Sequence, residues 1–262
     1  MGLLEGKRAL IVGVGNQRSI AWGIATAFQR EGARLAFTYL GERFKGNVEK
    51  LVQTLPGHED MPLVDADVSK PDQLARLVDE IGRRWDGLDI LVHSIAYSPT
   101  EDLRRPFHEI SRDGVLTAVD VSAYTLVSLS NGALPLFEKA GGGSVLALTF
   151  NAVERVVPSY NAMAVAKAAL ETCVRYLAVD LGPKNVRVNA ISAGPLKTLS
   201  ASAVKGISQA RDIWETRSPL RRNVTQDEVA NVAVFLASEW SRSITGATLF
   251  ADNGMNIVGV AE

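Results

Sequence analysis

Tyr160 and Lys167 stand seven residues apart in the stretch ERVVPSYNAMAVAKAALE. Seven steps of an α-helix turn through roughly 700° and rise about 10 Å, so the two side chains return to one face. A phenol and an ammonium on one surface suit proton transfer and the stabilisation of developing negative charge. Free tyrosine titrates near ~10, and a neighbouring cation is expected to favour its ionised form. The spacing alone also fits an ordinary helix face. The elements around the pair therefore have to show whether it looks into a site.

Those elements follow a repeated pattern. Short apolar runs alternate with longer amphipathic ones, the signature of βαβ units and a parallel sheet covered on both faces. Strands are expected at Ala9–Gly13, Arg34–Tyr39, Met61–Asp67, Leu88–Ser94, Gly143–Thr149, Asn185–Ser192 and Ala247–Asp252. Helices are expected over Ile20–Gly32, Glu42–Leu55, Ser69–Trp85, Arg112–Phe137, Pro158–Leu181 and Asp227–Ser238, the last opened by a Thr225/Glu228 capping box. No linker, repeat or low-complexity tract interrupts this alternation, so the chain reads as one α/β domain, a doubly wound parallel sheet.

Ligands of such a sheet sit at the carboxyl ends of the strands, where strand order reverses. After the first strand, Gly13 and Gly15 permit a tight turn and the next helix offers free N–H groups to a pyrophosphate. The usual G-x-G-x-x-G spacing would place a third glycine at position 18, which is Arg18, so a plain strand-to-helix turn fits the glycines equally. Asp67 after the third strand reads either as an adenine contact or as a helix-opening residue. His93, Ser94, Ile95 and Ala96 end the fourth strand, and Ser192-Ala193-Gly194-Pro195 ends the sixth. Four strand ends with small or polar residues favour a binding crevice.

Composition narrows the classes. The chain has 262 residues, 47% apolar and 22% charged, as in a soluble globular protein. Its 28 Lys plus Arg balance 29 Asp plus Glu, so net charge argues for neither nucleic acid nor an anionic membrane as partner. No apolar run approaches the ~18 residues of a membrane span, and the start MGLLEGKRALIVG lacks a signal-peptide layout. Cys173 is the single cysteine, read as a packing residue. A cytoplasmic protein is expected. His58, His93 and His108 show no ligand spacing, so no metal is expected.

Four stretches together resemble the short-chain dehydrogenase/reductase superfamily, and within it the enoyl-acyl carrier protein reductases of bacterial fatty acid synthesis. They are G-V-x-N-x-R-S-I-A-x-G-I-A at Gly13–Ala25, H-S-I-A at His93–Ala96, the Tyr160/Lys167 pair, and R-V-N-A-I-S-A-G-P at Arg187–Pro195. Most other members of the superfamily place the lysine four residues after the tyrosine, where this chain has Ala164. The resemblance implies a Rossmann fold, an NADH cofactor with NADPH as the alternative, an acyl carrier protein-bound enoyl substrate and a homotetramer.

Residue by residue, it implies Gly13, Ser19 and Ile20 around the pyrophosphate, Asp67 and Val68 at the adenine, and Ser94 and Ile95 beside the ribose and nicotinamide. Leu40 ends the second strand at the adenosine side, and Leu196 and Thr198 match positions at the nicotinamide end. Lys167 would hold the ribose hydroxyls and Tyr160 the thioester carbonyl, with Tyr97, Ser98 and Met163 on the substrate side. Leu196–Leu220 would form a mobile cover over the acyl chain, its small residues being Ser200, Ala201, Ser202, Ala203 and Gly206. Ala166, Ala169, Leu170 and Tyr176 are candidates for the tetramer contacts.

Two departures from the family pattern stand out. Phe150 occupies the place of a second tyrosine that many members carry, which bears on acyl-chain length and diphenyl-ether inhibitors. The second strand ends without the acidic residue that would bind a ribose 2′-hydroxyl, and Arg43 and Lys45 are available to a 2′-phosphate. Two other readings keep the fold: a short-chain oxidoreductase acting on another activated alkene or a carbonyl, and a non-catalytic nucleotide sensor.

Overall fold

The computed structural model describes residues 2–198 and 207–259. Seven parallel strands form one sheet: β1 (Arg8–Val12), β2 (Arg34–Tyr39), β3 (Leu63–Asp65), β4 (Ile90–His93), β5 (Gly143–Thr149), β6 (Val186–Ala193) and β7 (Thr248–Ala251). Their order is β3-β2-β1-β4-β5-β6-β7, so the winding reverses between β1 and β4. The longest pairing is that of β5 with β6, in register from Gly143↔Val186 to Thr149↔Ser192.

Helices α1 (Ile20–Arg30) and α2 (Gly41–Val52) cover one face of the sheet, together with the late helix Gln226–Ala237. The other face carries α3 (Pro71–Arg84), α6 (Thr125–Ala140) and α7 (Asn161–Leu181). The central strands read almost wholly apolar because both of their faces are buried. Two short helices, α4 (Thr100–Arg104) and α5 (Arg112–Val119), follow β4. With Met163, Ala162 and Ala166 of α7 they enclose a third, smaller apolar cluster at the strand ends. Helices α8 (Ile207–Arg217) and α9 (Gln226–Ala237) precede β7.

The elements depart from the sequence pattern in specific places. The expected helix Arg112–Phe137 is interrupted by a π-helical turn at Asp120–Tyr124 and then runs on to Ala140. The helix expected from Pro158 begins at Asn161, with Tyr160 as its N-cap residue. Of the residues expected at a tetramer contact, Ala166 and Leu170 point inward and are fully buried, whereas Tyr176 is 72% exposed. Cys173 is half-buried against the core, as a packing residue should be. The capping box forms as read, with Thr225 accepting from the Glu228 amide and the Glu228 carboxylate accepting from the Thr225 amide. Among the described residues, no helix is long and apolar enough to cross a membrane. Of the cover expected at Leu196–Leu220, residues 199–206, including Ser200, Ala201, Ser202, Ala203 and Gly206, lie outside the described residues.

Candidate active site

A cavity of about 470 Å³ opens over the carboxyl ends of the central strands, at the reversal between β1 and β4. Every residue that the resemblance places at the cofactor or the substrate lines it, whereas His93, Ser192, Arg43 and Lys45 do not. Gly13, Ser19 and Ile20 come from the turn into α1, Leu40 from the end of β2, and Asp67 and Val68 from the loop after β3. Ser94, Ile95, Tyr97 and Ser98 follow β4, Leu196 and Thr198 follow β6, and Tyr160, Met163 and Lys167 lie along the start of α7.

The local structure explains several of these placements. Gly13 has φ +106°, and a Cβ there would stand 2.2 Å from the Ser94 carbonyl oxygen. Only glycine lets the two strand ends approach so closely, so the sequence needs it for packing as well as for any ligand. Asp67 serves the turn: its Oδ1 accepts from both the amide and the hydroxyl of Ser69. Met163 is both core and lining, buried at 5% exposure against Leu103 and Ala118 while facing the cavity.

The π-helical turn holds the loop after β4. Ser122 Oγ accepts from the Tyr97 amide at 3.0 Å and donates to the Tyr97 carbonyl at 3.2 Å. Thr125 Oγ1 donates to the Val121 carbonyl at 2.6 Å, which leaves it an acceptor toward His93 Nε2 at 2.8 Å. That pattern assigns the His93 proton to Nε2. Burial, with Lys167 adding to it, pushes the His93 pKa down to about 3, so the ring is neutral. His93 thus fixes the end of β4 without adding charge.

Lys167 is the buried charge of the site, 4% exposed, and its Nζ donates to the Leu148 carbonyl at 2.7 Å. Burial pulls its pKa down to about 8, with the Glu171 carboxylate one helical turn on acting in the opposite direction. Glu171 is itself held from β5, where the Thr149 hydroxyl donates to its Oε1 at 2.7 Å. Burial raises the Glu171 carboxyl, with the Thr149 hydrogen bond and then Arg175 lowering it.

Tyr160 differs from the sequence expectation. Burial raises its hydroxyl above the ordinary phenol value, and no cation offsets this. Its ring lies 5.0 Å from Phe150, which in turn stacks on Trp214 at 6.3 Å. The group presented to the cavity is a protonated phenol, a donor rather than a phenolate.

Thr149, Phe150, Thr100 and Leu103 also line the cavity. Of these, periodicity marks only Thr149, as the last residue of a strand; the others lie in loops or in a five-residue helix. At the β2 end, Arg43 stacks on the Phe44 ring at 5.5 Å, and Lys45 pairs with Glu42 at 3.3 Å. The Gly41 amide donates to Asp65 Oδ1 at 2.8 Å.

With this geometry in hand, residues 13–256 match the family profile described as enoyl-(acyl carrier protein) reductase. The chain belongs to that family. It is 45% identical over 260 residues to the enoyl-[acyl-carrier-protein] reductase [NADH] FabI of Aquifex aeolicus, covering 99% of this chain and 95% of that protein. The enoyl-[acyl-carrier-protein] reductase [NADPH] FabI of Staphylococcus aureus is 43% identical over 255 residues, covering 97% of this chain and 98% of that protein. The crystal structure of the Bacillus cereus enoyl-acyl carrier protein reductase with NADP+ and indole naphthyridinone superposes with a TM-score of 0.96 at 44% identity. That match covers 99% of this chain and 100% of the other. The relatives are named for NADH or NADPH, and this cavity has donors for such a nucleotide. Lys167 spends one of its three N–H donors on Leu148, which leaves two for a ribose diol.

Proposed function

We propose that the chain reduces the 2,3 double bond of trans-2-enoyl groups carried as thioesters on acyl carrier protein, using NADH, as a step of fatty acid biosynthesis. The observation that carries this reading is the joint placement of Tyr160 and Lys167 along one cavity with Ser94, Ile95, Leu196 and Thr198, in a chain of the reductase family.

A bound reduced nicotinamide supplies the hydride, directed to the β carbon of the enoyl thioester. The protein supplies orientation and field. Lys167 offers its two remaining donors to the ribose. Tyr160, a protonated phenol whose burial raises its pKa further, donates a hydrogen bond to the thioester carbonyl oxygen as that oxygen takes on enolate charge. A proton taken from solvent at the α carbon, as the enolate returns to a thioester carbonyl, then gives the saturated acyl chain. Ser94 and Ile95, Leu196 and Thr198 would flank the nicotinamide, with Tyr97, Ser98 and Met163 toward the acyl chain.

NADH is favoured over NADPH by the β2 end. Lys45 is already paired with Glu42, Arg43 lies along Phe44, and the Asp65 carboxylate sits beside Gly41. A 2′-phosphate there would meet the Glu42 and Asp65 carboxylates, with Arg43, which has no carboxylate partner among the described residues, as its one unpaired cation from these two.

The same reading takes the protein as a cytoplasmic homotetramer. Tyr176 at 72% and Val179 at 75% exposure on α7, with Leu116 and Tyr124 at 57% and 58%, leave apolar surface suited to another copy. Light scattering of the purified protein tests the assembly.

The deciding experiment follows nicotinamide absorbance when the protein meets a short 2-enoyl thioester, with NADH and NADPH in parallel and Tyr160→Phe as control. Turnover with NADH that collapses in the variant supports the proposal. Nucleotide binding without turnover at any chain length would overturn it.

A further inference from the structure

Tyr160 sits between two residues of left-handed backbone, Ser159 with φ +65° and Asn161 with φ +32°, while its own φ is −91°. Neither neighbour is glycine, so the surroundings must hold this turn in place. The Asn161 side chain provides one such hold. Its Nδ2 donates to the Leu103 carbonyl at 3.3 Å and to the Arg105 carbonyl at 2.6 Å, which uses both of its N–H groups. Leu103 lies in the last turn of α4 and Arg105 is its C-cap residue, where a helix lacks internal partners for its carbonyls.

Helix α4 contributes Thr100 and Leu103 to the cavity wall, and Leu103 packs with Met163, Ala162 and Tyr160 in the small apolar cluster. One amide therefore joins the backbone beside Tyr160 to the wall that Leu103 presents. The pyrophosphate and adenosine side of the cavity comes from the ends of β1 and β2 and the loop after β3, none of which Asn161 touches through these bonds.

We propose that Asn161 is a positioning residue, which sets the distance between the Tyr160 hydroxyl and the acyl-side wall and so places the thioester carbonyl on that hydroxyl. This rests on the role given to Tyr160 above. Asparagine is suited to the post on two counts, since it tolerates positive φ and carries two donors. The two counts separate by substitution. Asn161→Gly keeps the backbone freedom and loses both bonds; Asn161→Asp keeps the shape and turns a carboxylate toward two carbonyls; Asn161→Ser retains at most one donor.

Steady-state kinetics with an enoyl thioester, NADH affinity by fluorescence titration, and the melting temperature are measured for each variant. The expected result is a tenfold or greater fall in kcat/KM for the enoyl substrate in Asn161→Gly and Asn161→Asp. Asn161→Ser should fall between these and the wild type, and NADH affinity should stay within twofold throughout. Wild-type kcat/KM in Asn161→Gly would overturn the proposal, because backbone freedom alone would then account for asparagine. Parallel loss of NADH affinity and activity would also overturn it, as general loosening of the fold. Should the Gly and Asp variants fail to fold, Asn161→Ser decides: unchanged kcat/KM refutes the proposal, and a threefold to tenfold fall with unchanged NADH affinity supports it. Absence of turnover by the wild type on any enoyl thioester removes the reading of Tyr160 itself, a result distinct from losses confined to the variants.

Discussion

Lys167 carries a burden that its replacement should expose. Its ammonium is 4% exposed, and burial brings its pKa from 10.5 down to about 8 in the cofactor-free protein. That gap corresponds to about 3 kcal/mol of preference for the neutral amine in the folded state. Below pH 8 both folded and unfolded chains hold the proton, and the full penalty weighs on the folded one. Between pH 8 and 10.5 the unfolded chain still binds the proton while the folded chain has released it, so this group's contribution to stability rises with pH. Asn or Met at 167 cannot titrate. The difference in unfolding free energy, wild type minus Lys167→Met, should therefore climb by about 1.4 kcal/mol per pH unit above 8 and by about 3 kcal/mol in all. The lost bond to the Leu148 carbonyl offsets the comparison by a constant, and groups common to both proteins cancel. Urea unfolding of the cofactor-free proteins from pH 7 to 10, at one protomer concentration, reads this directly. NADH binding near pH 8.5 should take up about three quarters of a proton in the wild type and none from this group in Lys167→Met, measured by calorimetry in two buffers of different ionisation enthalpy. Parallel stability curves for the two proteins would refute the reasoning, because the ammonium would then remain charged to pH 10 without cost.

Tyr160→Phe should lower kcat by about 10²–10³ while leaving NADH affinity unchanged, the loss of one donor to a developing oxyanion, read by stopped-flow and steady-state assays. Glu42→Ala releases Lys45 from its 3.3 Å pair. It should raise kcat/KM for NADPH several-fold against NADH. Thr225→Ala removes the side-chain oxygen that caps α9. A cost of about 1 kcal/mol, or a fall of roughly 2–4 °C in melting temperature by calorimetry, is expected.

How much of this was legible in the sequence follows from what kind of signal each feature leaves. β5 matches its apolar run to the residue, Gly143–Thr149, because a strand buried on both faces writes itself as continuous hydrophobicity. The Thr225/Glu228 box is equally visible, since both partners lie within one turn. Gly13, Asp67, Ser94 and Ile95 are legible from the pattern because strand ends are places that a parallel sheet makes available, whereas Ser19, Ile20, Leu40, Val68, Tyr97, Ser98, Met163, Leu196 and Thr198 come from the family resemblance. The π-helical turn at Asp120–Tyr124 was missed because one inserted residue barely disturbs a period of 3.6. The start of α7 was missed because its turn uses Ser159 and Asn161 at positive φ without any glycine to mark it. Ala166 and Leu170, expected among the tetramer contacts, lie inside the protomer because a helix apolar on several faces does not say which face meets the sheet. The ionisation of Tyr160 was misjudged for a related reason: spacing showed a nearby cation, whereas burial beside Phe150 decides the pKa.

That correction changes how the two central residues divide their work. A phenol lowered by Lys167 would present a base, which suits removal of a proton from an alcohol. A phenol raised by burial presents a donor, which suits an oxygen that gains negative charge when hydride arrives at a conjugated carbon. The lysine points the same way. Its charge is held against burial by Glu171, one turn along α7, and Glu171 is in turn anchored to β5 by Thr149. A cation kept at such cost beside a neutral His93 and a protonated Tyr160 has no anionic partner at hydrogen-bonding distance among the described residues. It is stabilised best when a ligand brings hydroxyl or phosphate oxygens to its two remaining donors. Under the proposed function, nucleotide binding would come first energetically: it would relieve the buried ammonium, and Tyr160 would then meet the substrate in a site whose field is already set.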